Sequence, residues 1–531
     1  MEEQIEHTVV TSSIHSKIIR NTLFSVAGNW FLLLLNFILI PFIIRKLGVE
    51  LYGGAWIIGA IVLSFIGLID FGIGSACTKY IAEYYSKQDY RAINIVVSTG
   101  IAFSFILSGT LAGLSFFLGK EVVSLLSIPQ NIQSEAYFVF TTAMFILVLV
   151  NTATPISVIM IALQRMDISN SVIVVTSILN FCMSLLVLHL GWGAKGLILG
   201  TLAVQLFSVS WMIWWAKNLF PQLHPRLANV DRHVMARLFH FGGNLQLSRL
   251  AQLLVFQFDK IVALRFFGPA ASAFYEISVK LSSLTRSIPL VLASALLPAA
   301  SELETNKETT KVTLLFERAS KYMIILGLLV TGFIFTETRL ILTTWLGSTI
   351  DTHGIETITF IVRIVLVGYF INTSTGAASS IAAGIGKTHL ERKMGIVLFI
   401  LSPLFLFTFP LIAGFYGIPA ATALSLGIAS GYYIYLFCSS INLQVYHFWL
   451  LLVKPLSSLL IAIILEQIFH KTCFPVNVTS RIDGGAVLGA LFFAYAISYS
   501  VCLKYLGALD EYDMNLVKAL IHKHSKKDVI L

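Results

Sequence analysis

The sequence predicts an all-α integral membrane protein of about fourteen transmembrane helices, arranged as two parallel six-helix lobes followed by two further helices. Three observations lead there. Hydrophobic residues make up 57% of the chain and charged residues only 12%, and the mean hydropathy is +0.84. A soluble chain of 531 residues could not cover that much apolar surface with so few polar groups. Apolar windows of about 20 residues, the length that crosses a bilayer as a helix, recur along nearly the whole chain. The third observation is self-similarity at a shift of about 220 positions.

In chain order, residues 1–20 are polar, with Lys17 and Arg20 just ahead of the first span and no short apolar core with a small-residue cleavage site. They read as a cytoplasmic tail and not as a secretory signal. Six spans follow near 22–43, 54–78, 92–118, 136–162, 171–190 and 196–216, making a first lobe over 21–216. A charged cytoplasmic linker occupies 217–237. A second lobe, 238–440, holds spans near 240–264, 272–300, 322–338, 355–384, 394–413 and 418–440. Two additional spans near 448–468 and 484–503 lie in 441–503. In the tail, 504–531, Leu509, Tyr512, Leu516 and Leu520 fall at helical spacing, so an amphipathic helix along the inner membrane surface is expected.

Basic residues orient this layout. With the N-terminus inside, 22 of the 36 Lys and Arg lie in inside segments and 8 in outside loops. Cytoplasmic loops carry such an excess, which puts both termini inside. The net charge of +9 is explained by these loops. No basic cluster on a soluble face points to nucleic acid. The five cysteines are scattered without metal-ligand spacing and suggest no disulfide framework.

The repeat is read from several matches. A shift of 220 sets Arg45 and Gly48 on Arg265 and Gly268, and Lys87 on Lys307. A shift of 221 sets Asn151-Thr152-Ala153-Thr154-Pro155 on Asn372-Thr373-Ser374-Thr375-Gly376. Each half has six spans, so the repeats run in the same direction about an axis along the membrane normal. Two lobes facing a central cavity are expected.

The chemistry concentrates in the second repeat. Arg249, Asp259, Lys260, Glu276, Lys280 and Arg286 lie in the seventh and eighth spans, and Arg363 in the tenth. Charges at such depths cost several kcal/mol and normally face a bundle interior or watery cavity. Glu276 and Lys280 are four apart and are expected to pair along one helix face. Guanidinium groups hold phosphate through paired hydrogen bonds. Arg249, Lys280, Arg286 and Arg363 are therefore the candidate binders of an anionic headgroup, best a phosphate or diphosphate. Interhelical salt bridges are the competing structural explanation. At shift 220 the charged positions meet Asn29, Leu39, Ile40, Trp56, Ala60 and Ile66, so the charges belong to one lobe. Asp70, within the glycine-rich Gly67–Gly74 segment, and Asp259 are candidates for ion coupling, Asp70 alternatively for capping a broken helix. Asn36, Asn151 and Asn372 are candidate glycan contacts, with interhelical hydrogen bonding as the alternative.

Catalysis finds little support. Gly384-Ile385-Gly386-Lys387-Thr388 lacks phosphate-loop spacing, and no HExxH or nucleophile elbow occurs. No cofactor, metal or catalytic residue is assigned.

The segments Ile40-Pro41-Phe42-Ile43-Ile44-Arg45-Lys46-Leu47-Gly48, Tyr52-Gly53, Leu68-Ile69-Asp70-Phe71-Gly72-Ile73-Gly74-Ser75-Ala76 and Tyr80-Ile81-Ala82-Glu83-Tyr84 resemble the opening of polysaccharide-transport flippases. These belong to the superfamily of the MATE drug exporters and the lipid II flippase. The resemblance implies a MATE-like exporter in a bacterial plasma membrane, moving undecaprenyl-diphosphate-linked oligosaccharide from inner to outer leaflet by alternating access. It also implies membrane lipids as partners, with a glycan polymerase and chain-length machinery alongside. A lipid II-type precursor flippase and a multidrug or cation antiporter are the alternatives. A membrane-embedded glycan polymerase is disfavoured by the short outside loops.

Overall fold

In the computed structural model the described residues are 34–474 and 481–515, excepting the side chains of 241–255, 288, 290–292 and 294. Among them every regular element is helical. Hydrocarbon offers no hydrogen-bond partners, so a spanning backbone must satisfy itself within each segment. The helices are α1 (34–47), α2 (Val49–Ser86), α3 (Tyr90–Leu125), α4 (Gln130–Ala162), α5 (Met166–His189) and α6 (Gly193–Leu219). Then come α7 (Arg232–Ser282), α8 (Leu284–Thr305), α9 (Thr309–Leu346), α10 (Thr352–Ser374) and α11 (Gly376–Gly384). The last four are α12 (His389–Ala413), α13 (Gly417–Ser440), α14 (Val445–Cys473) and α15 (Arg481–Tyr505). Among the described residues, ten stretches are long and apolar enough to cross a membrane, and one of these, His389–Ser440, holds both α12 and α13. The chain is a multi-pass membrane protein. Side chains such as Phe399, Leu404 and Leu411 on α12 are exposed because lipid, not water, is their solvent.

Helix starts are set by acidic caps. Asp89 accepts from Ala92 N, Asp231 from His233 N and Val234 N, and Asp351 from Gly354 N, fixing the first turns of α3, α7 and α10. Those two backbone donors hold the Asp231 carboxyl below its ordinary range. Helix ends turn through left-handed residues, and these recur across the repeat. Gly48 has φ 80° and Gly268 has φ 86°; Ser127 has 55° and Gly347 has 63°. Each pair is 220 residues apart. Gln88 (57°) and Lys307 (56°) follow at 219, and Gln164 (57°) and Gly386 (73°) at 222. The duplication is therefore written into the backbone as well as the sequence. The break at Phe71 (49°) and Gly72 (72°), which interrupts α2, has no left-handed counterpart at 291–292.

By packing, the chain forms two compact units, Met1–Glu276 and Ile277–Leu531. In the first, Ala55, Ile58 and Val62 of α2 pack with Val139 and Ala143 of α4, Ile198 of α6 and Leu264 of α7. A second cluster joins Ile73 and Cys77 to Val96 of α3 and to Phe220, Leu223 and Val234 of the 217–237 segment. That segment is sewn to α3. The Asn94 side chain donates to Gln222 O and accepts from His224 N, Ser98 Oγ accepts from Arg226 N, and Thr99 Oγ1 from Asp231 N.

In the second unit, Phe316 of α9 packs against Phe437 of α13 and Phe448 of α14. Tyr495 and Tyr499 of α15 stack in parallel, and their hydroxyls donate to Leu328 O (3.2 Å) and Ile325 O (3.3 Å) of α9. The chain after α15 folds back onto α9. The Asp510 and Asp513 carboxylates each accept from the other's backbone N–H, a capping-box arrangement. Asp513 also accepts from Lys321 Nζ (2.5 Å) and the Tyr322 hydroxyl (2.5 Å). Burial raises the Asp513 carboxyl, but the Lys321 and Tyr322 hydrogen bonds outweigh it and hold it at about 2. Residues 516–531, including Leu516 and Leu520, lie outside the described residues.

Candidate functional site

The charged helices fold back on themselves. The Gly268 φ of 86° and the following Pro269 break α7, so its second limb returns along the first. This turn sets residues 259–260 opposite 275–276. Lys260 Nζ lies 2.5 Å from the Glu276 carboxylate, with both side chains at 7% or less exposure, and it donates to Gln257 Oε1 at 3.0 Å. Asp259, also buried, accepts from the Tyr275 hydroxyl. The corner packs on α2, where Tyr52–Trp56 form a π-helical turn. A Cβ on Gly53 would stand 1.8 Å from Pro269 O, so only glycine permits this approach. Glu276 is thus engaged by Lys260 across the hairpin, a contact separate from the pairing with Lys280 that helical spacing suggests. The hairpin supplies a partner that helical spacing alone cannot show.

The candidate headgroup binders are placed as follows. The Arg249 backbone lies in α7, and its side chain is outside the described residues. Lys280 is exposed. Arg286 is partly buried with its guanidinium 5.4 Å from the centre of the Tyr369 ring. Arg363 donates from Nε to Phe335 O at 3.1 Å and lies 5.4 Å from that ring. Residues 363 and 369 of α10 are about 9 Å apart along the axis and roughly 240° around it. The two guanidinium groups therefore engage different faces of α10. A basic groove of ≈ 430 Å³ lies elsewhere, in the first unit, lined by Phe42, Arg45, Lys46, Leu185, Leu188 and His189.

Asp70 sits at the break in α2, where its carboxylate accepts twice from Gly74 N, at 3.0 and 3.2 Å, and so starts the segment Ile73–Ser86. Asn36 is exposed on α1. The repeat-related asparagines differ. Asn372 donates to Ser430 Oγ at 3.3 Å, whereas Asn151 is buried with neither side-chain atom hydrogen-bonded among the described residues.

Glu337, Glu466 and His470 were not singled out from the sequence. The fold brings one ligand atom of each within 4.8 Å of the others. Their one sequence signal was Glu466 and His470, polar residues four apart in the apolar α14.

Residues 18–304 match the family described as polysaccharide biosynthesis protein. A "Putative O-antigen transporter" of Shigella flexneri is 22% identical over 380 residues, 70% of this chain and 86% of that one. Among solved structures, the lipid II flippase MurJ in its inward closed conformation superposes with a TM-score of 0.72 at 12% identity, covering 91% of this chain and 99% of that one. An inward-facing multidrug resistance MATE family transporter gives 0.65 at 17% identity, covering 80% and 94%. Both show the fold, which is MATE-like.

Proposed function

The chain belongs to the polysaccharide biosynthesis protein family, and from that premise we propose that it is a flippase carrying undecaprenyl-diphosphate-linked oligosaccharide from the inner to the outer leaflet by alternating access. The observation that carries the reading is the meeting of this family with a transporter fold. Among the described residues the chain is a bundle of membrane helices, and moving a lipid-linked glycan is the step in glycan assembly that suits such a bundle. The relative from Shigella flexneri supports the same substrate class. Lipid II-type precursors are a second reading. It is favoured by the 91% coverage of this chain in the match to MurJ, against 80% in the MATE match, since the additional α14 and α15 need a longer counterpart.

In this proposal the protein sits in a bacterial plasma membrane with both termini in the cytoplasm, supported by the 22 to 8 division of basic residues. The lobes are 21–216 and 238–440. The corner at Gly268 and the π-turn of α2 then lie toward the outer surface, and their contact is the seal that parts when the outer side opens. Arg249, Lys280, Arg286 and Arg363 hold the diphosphate, and Asn36, Asn151 and Asn372 face the glycan. Headgroup binding shifts the balance of the two openings only through differential affinity for them. Glycan polymerase and chain-length machinery would consume the product.

The test is leaflet-specific labelling of lipid-linked glycan in cells carrying Arg249→Ala, Arg286→Ala or Arg363→Ala. Deletion of the protein should trap glycan in the inner leaflet, and the variants should slow its delivery. Delivery unaffected by deletion would sink the flippase reading. Normal delivery in all three variants would sink the assignment of the headgroup site alone. Supplying either a polysaccharide repeat unit or lipid II to the protein in vesicles separates the two substrate classes.

A further inference from the structure

The geometry points to a transition-metal cation site, of the Zn²⁺ class, formed by Glu337 of α9 with Glu466 and His470 of α14. Glu466 and His470 are four positions apart and so project from one face of α14. Glu337 faces them from a break in α9, where φ is −96° and ψ is 17°. His470 Nδ1 lies 3.1 Å from Glu337 Oε1, a hydrogen-bond distance and a few tenths of an ångström short of the roughly 3.4 Å between two ligands of one tetrahedral ion with bonds of about 2.1 Å.

Burial is the first argument. Glu337 is 4% exposed and Glu466 only 1%, so two carboxylates share one dry place. Like charges this close repel unless a cation or a proton lies between them. With neutral imidazole the set carries two negative charges, which a divalent ion cancels. The second argument is an atom without a donor. Glu466 Oε1 is fully buried and accepts no hydrogen bond from the described residues, while the Glu337 carboxylate stands within hydrogen-bond reach of the Glu466 carboxyl. Gln467 spends its amide on the other oxygens, donating to Glu337 Oε1 at 2.8 Å and Glu466 Oε2 at 3.0 Å. It thereby orients both carboxylates, as supporting residues around metal ligands do, and leaves Oε1 open. The third is access, because the His470 side chain is 29% exposed and forms the edge of the cluster.

Mixed nitrogen and oxygen donors select the metal. Ca²⁺ and Mg²⁺ prefer all-oxygen sets, whereas imidazole with carboxylate suits Zn²⁺, and also Co²⁺, Ni²⁺ or Mn²⁺. Three protein ligands leave a fourth position for water. At shift 220 Glu337 meets Phe117, which is 76% exposed among the described residues. The carboxylate stands only where α14 covers α9, so the ion fastens the additional helices to the second unit. This inference does not depend on the transported substrate.

The full-length protein, purified without a histidine tag and stripped by chelator, is titrated with Zn²⁺ calorimetrically and with Co²⁺ by visible absorption. One equivalent should bind saturably, raise the unfolding temperature, and give Co²⁺ bands of a four-coordinate site. Glu466→Gln should abolish binding, Glu337→Gln and His470→Ala should weaken it at least tenfold, and His447→Ala should leave it unchanged. Wild-type protein that binds neither ion overturns the site, as does binding kept in both Glu466→Gln and Glu337→Gln. An unfolding temperature that responds to pH through Glu466 but not to Zn²⁺ assigns the cluster to a shared proton, and that too overturns it. Should Glu466→Gln fail to fold, Glu337→Gln and His470→Ala decide by the same readings.

Discussion

The corner between α1 and α2 and the corner within α7 share a backbone and differ in chemistry. Both turn on a glycine with φ near 80°, at positions 220 apart. In the first, the residues matching Asp259 and Lys260 are Leu39 and Ile40, both buried. In the second, the same places hold a buried ion pair and a buried carboxylate on a tyrosine hydroxyl. Apolar side chains evidently satisfy this packing. Replacing buried ion pairs by apolar residues is often neutral or stabilising. The charges of α7 are thus surplus to the shared frame, which is the reason to look for their purpose in transport.

Four experiments bear on that contrast, beginning with the largest effect. Lys260→Met should destabilise the protein by about 3–5 kcal/mol, measured by denaturation in detergent, because it removes the cation 2.5 Å from the buried Glu276 carboxylate. The double change Lys260→Ile with Glu276→Leu should recover most of that loss while transport stays impaired. Full transport in the double variant would show that the pair serves folding only. Next, Gly53→Ala should cost about 1–3 kcal/mol by overpacking against Pro269 O and raise the accessibility of a cysteine placed at Ala273. An unchanged accessibility would remove this contact from the gate.

The asparagines give a smaller contrast. Asn372→Ala loses its bond to Ser430 and should cost about 1 kcal/mol. Asn151→Ala loses no protein bond among the described residues, so its stability should change less while glycan delivery falls. The smallest effect is local. Asp513 is held at about 2, below the usual carboxylate value of about 3.9, so docking of the tail is fully present above pH 4. It should be lost as pH falls from about 4 toward 2. A spin-label pair on the tail and α9 should keep its distance from pH 7 to about 4 and separate as pH falls toward 2, and Asp513→Asn should separate at neutral pH.

What could be read in the sequence was whatever is local or periodic. Spans followed from apolar runs, and the Gly48 and Gly268 corners from a common offset. Asp70 at a helix break was one of two readings its glycine-rich neighbourhood allowed. Pairing was harder. The spacing of Glu276 and Lys280 is visible in the sequence, but not that the Gly268 turn brings Lys260, sixteen positions away, to the same carboxylate. Glu337 and His470 are 133 positions apart, and nothing in either neighbourhood names the other. The sewing of 217–237 onto α3 was equally hidden, since Asn94, Ser98 and Thr99 look like ordinary polar residues of an apolar helix.

The two tyrosines of α15 carry a consequence for how the protein is made. Their hydroxyls reach carbonyls of Leu328 and Ile325, which a ribosome finishes some 170 residues earlier. Until α15 enters the bilayer, this stretch of α9 lacks its cover, and so does the acidic group at Glu337. A chain stopped before 445 lacks that cover on α9, and its half-life in cells should be shorter than that of the full chain even though both six-helix repeats are complete.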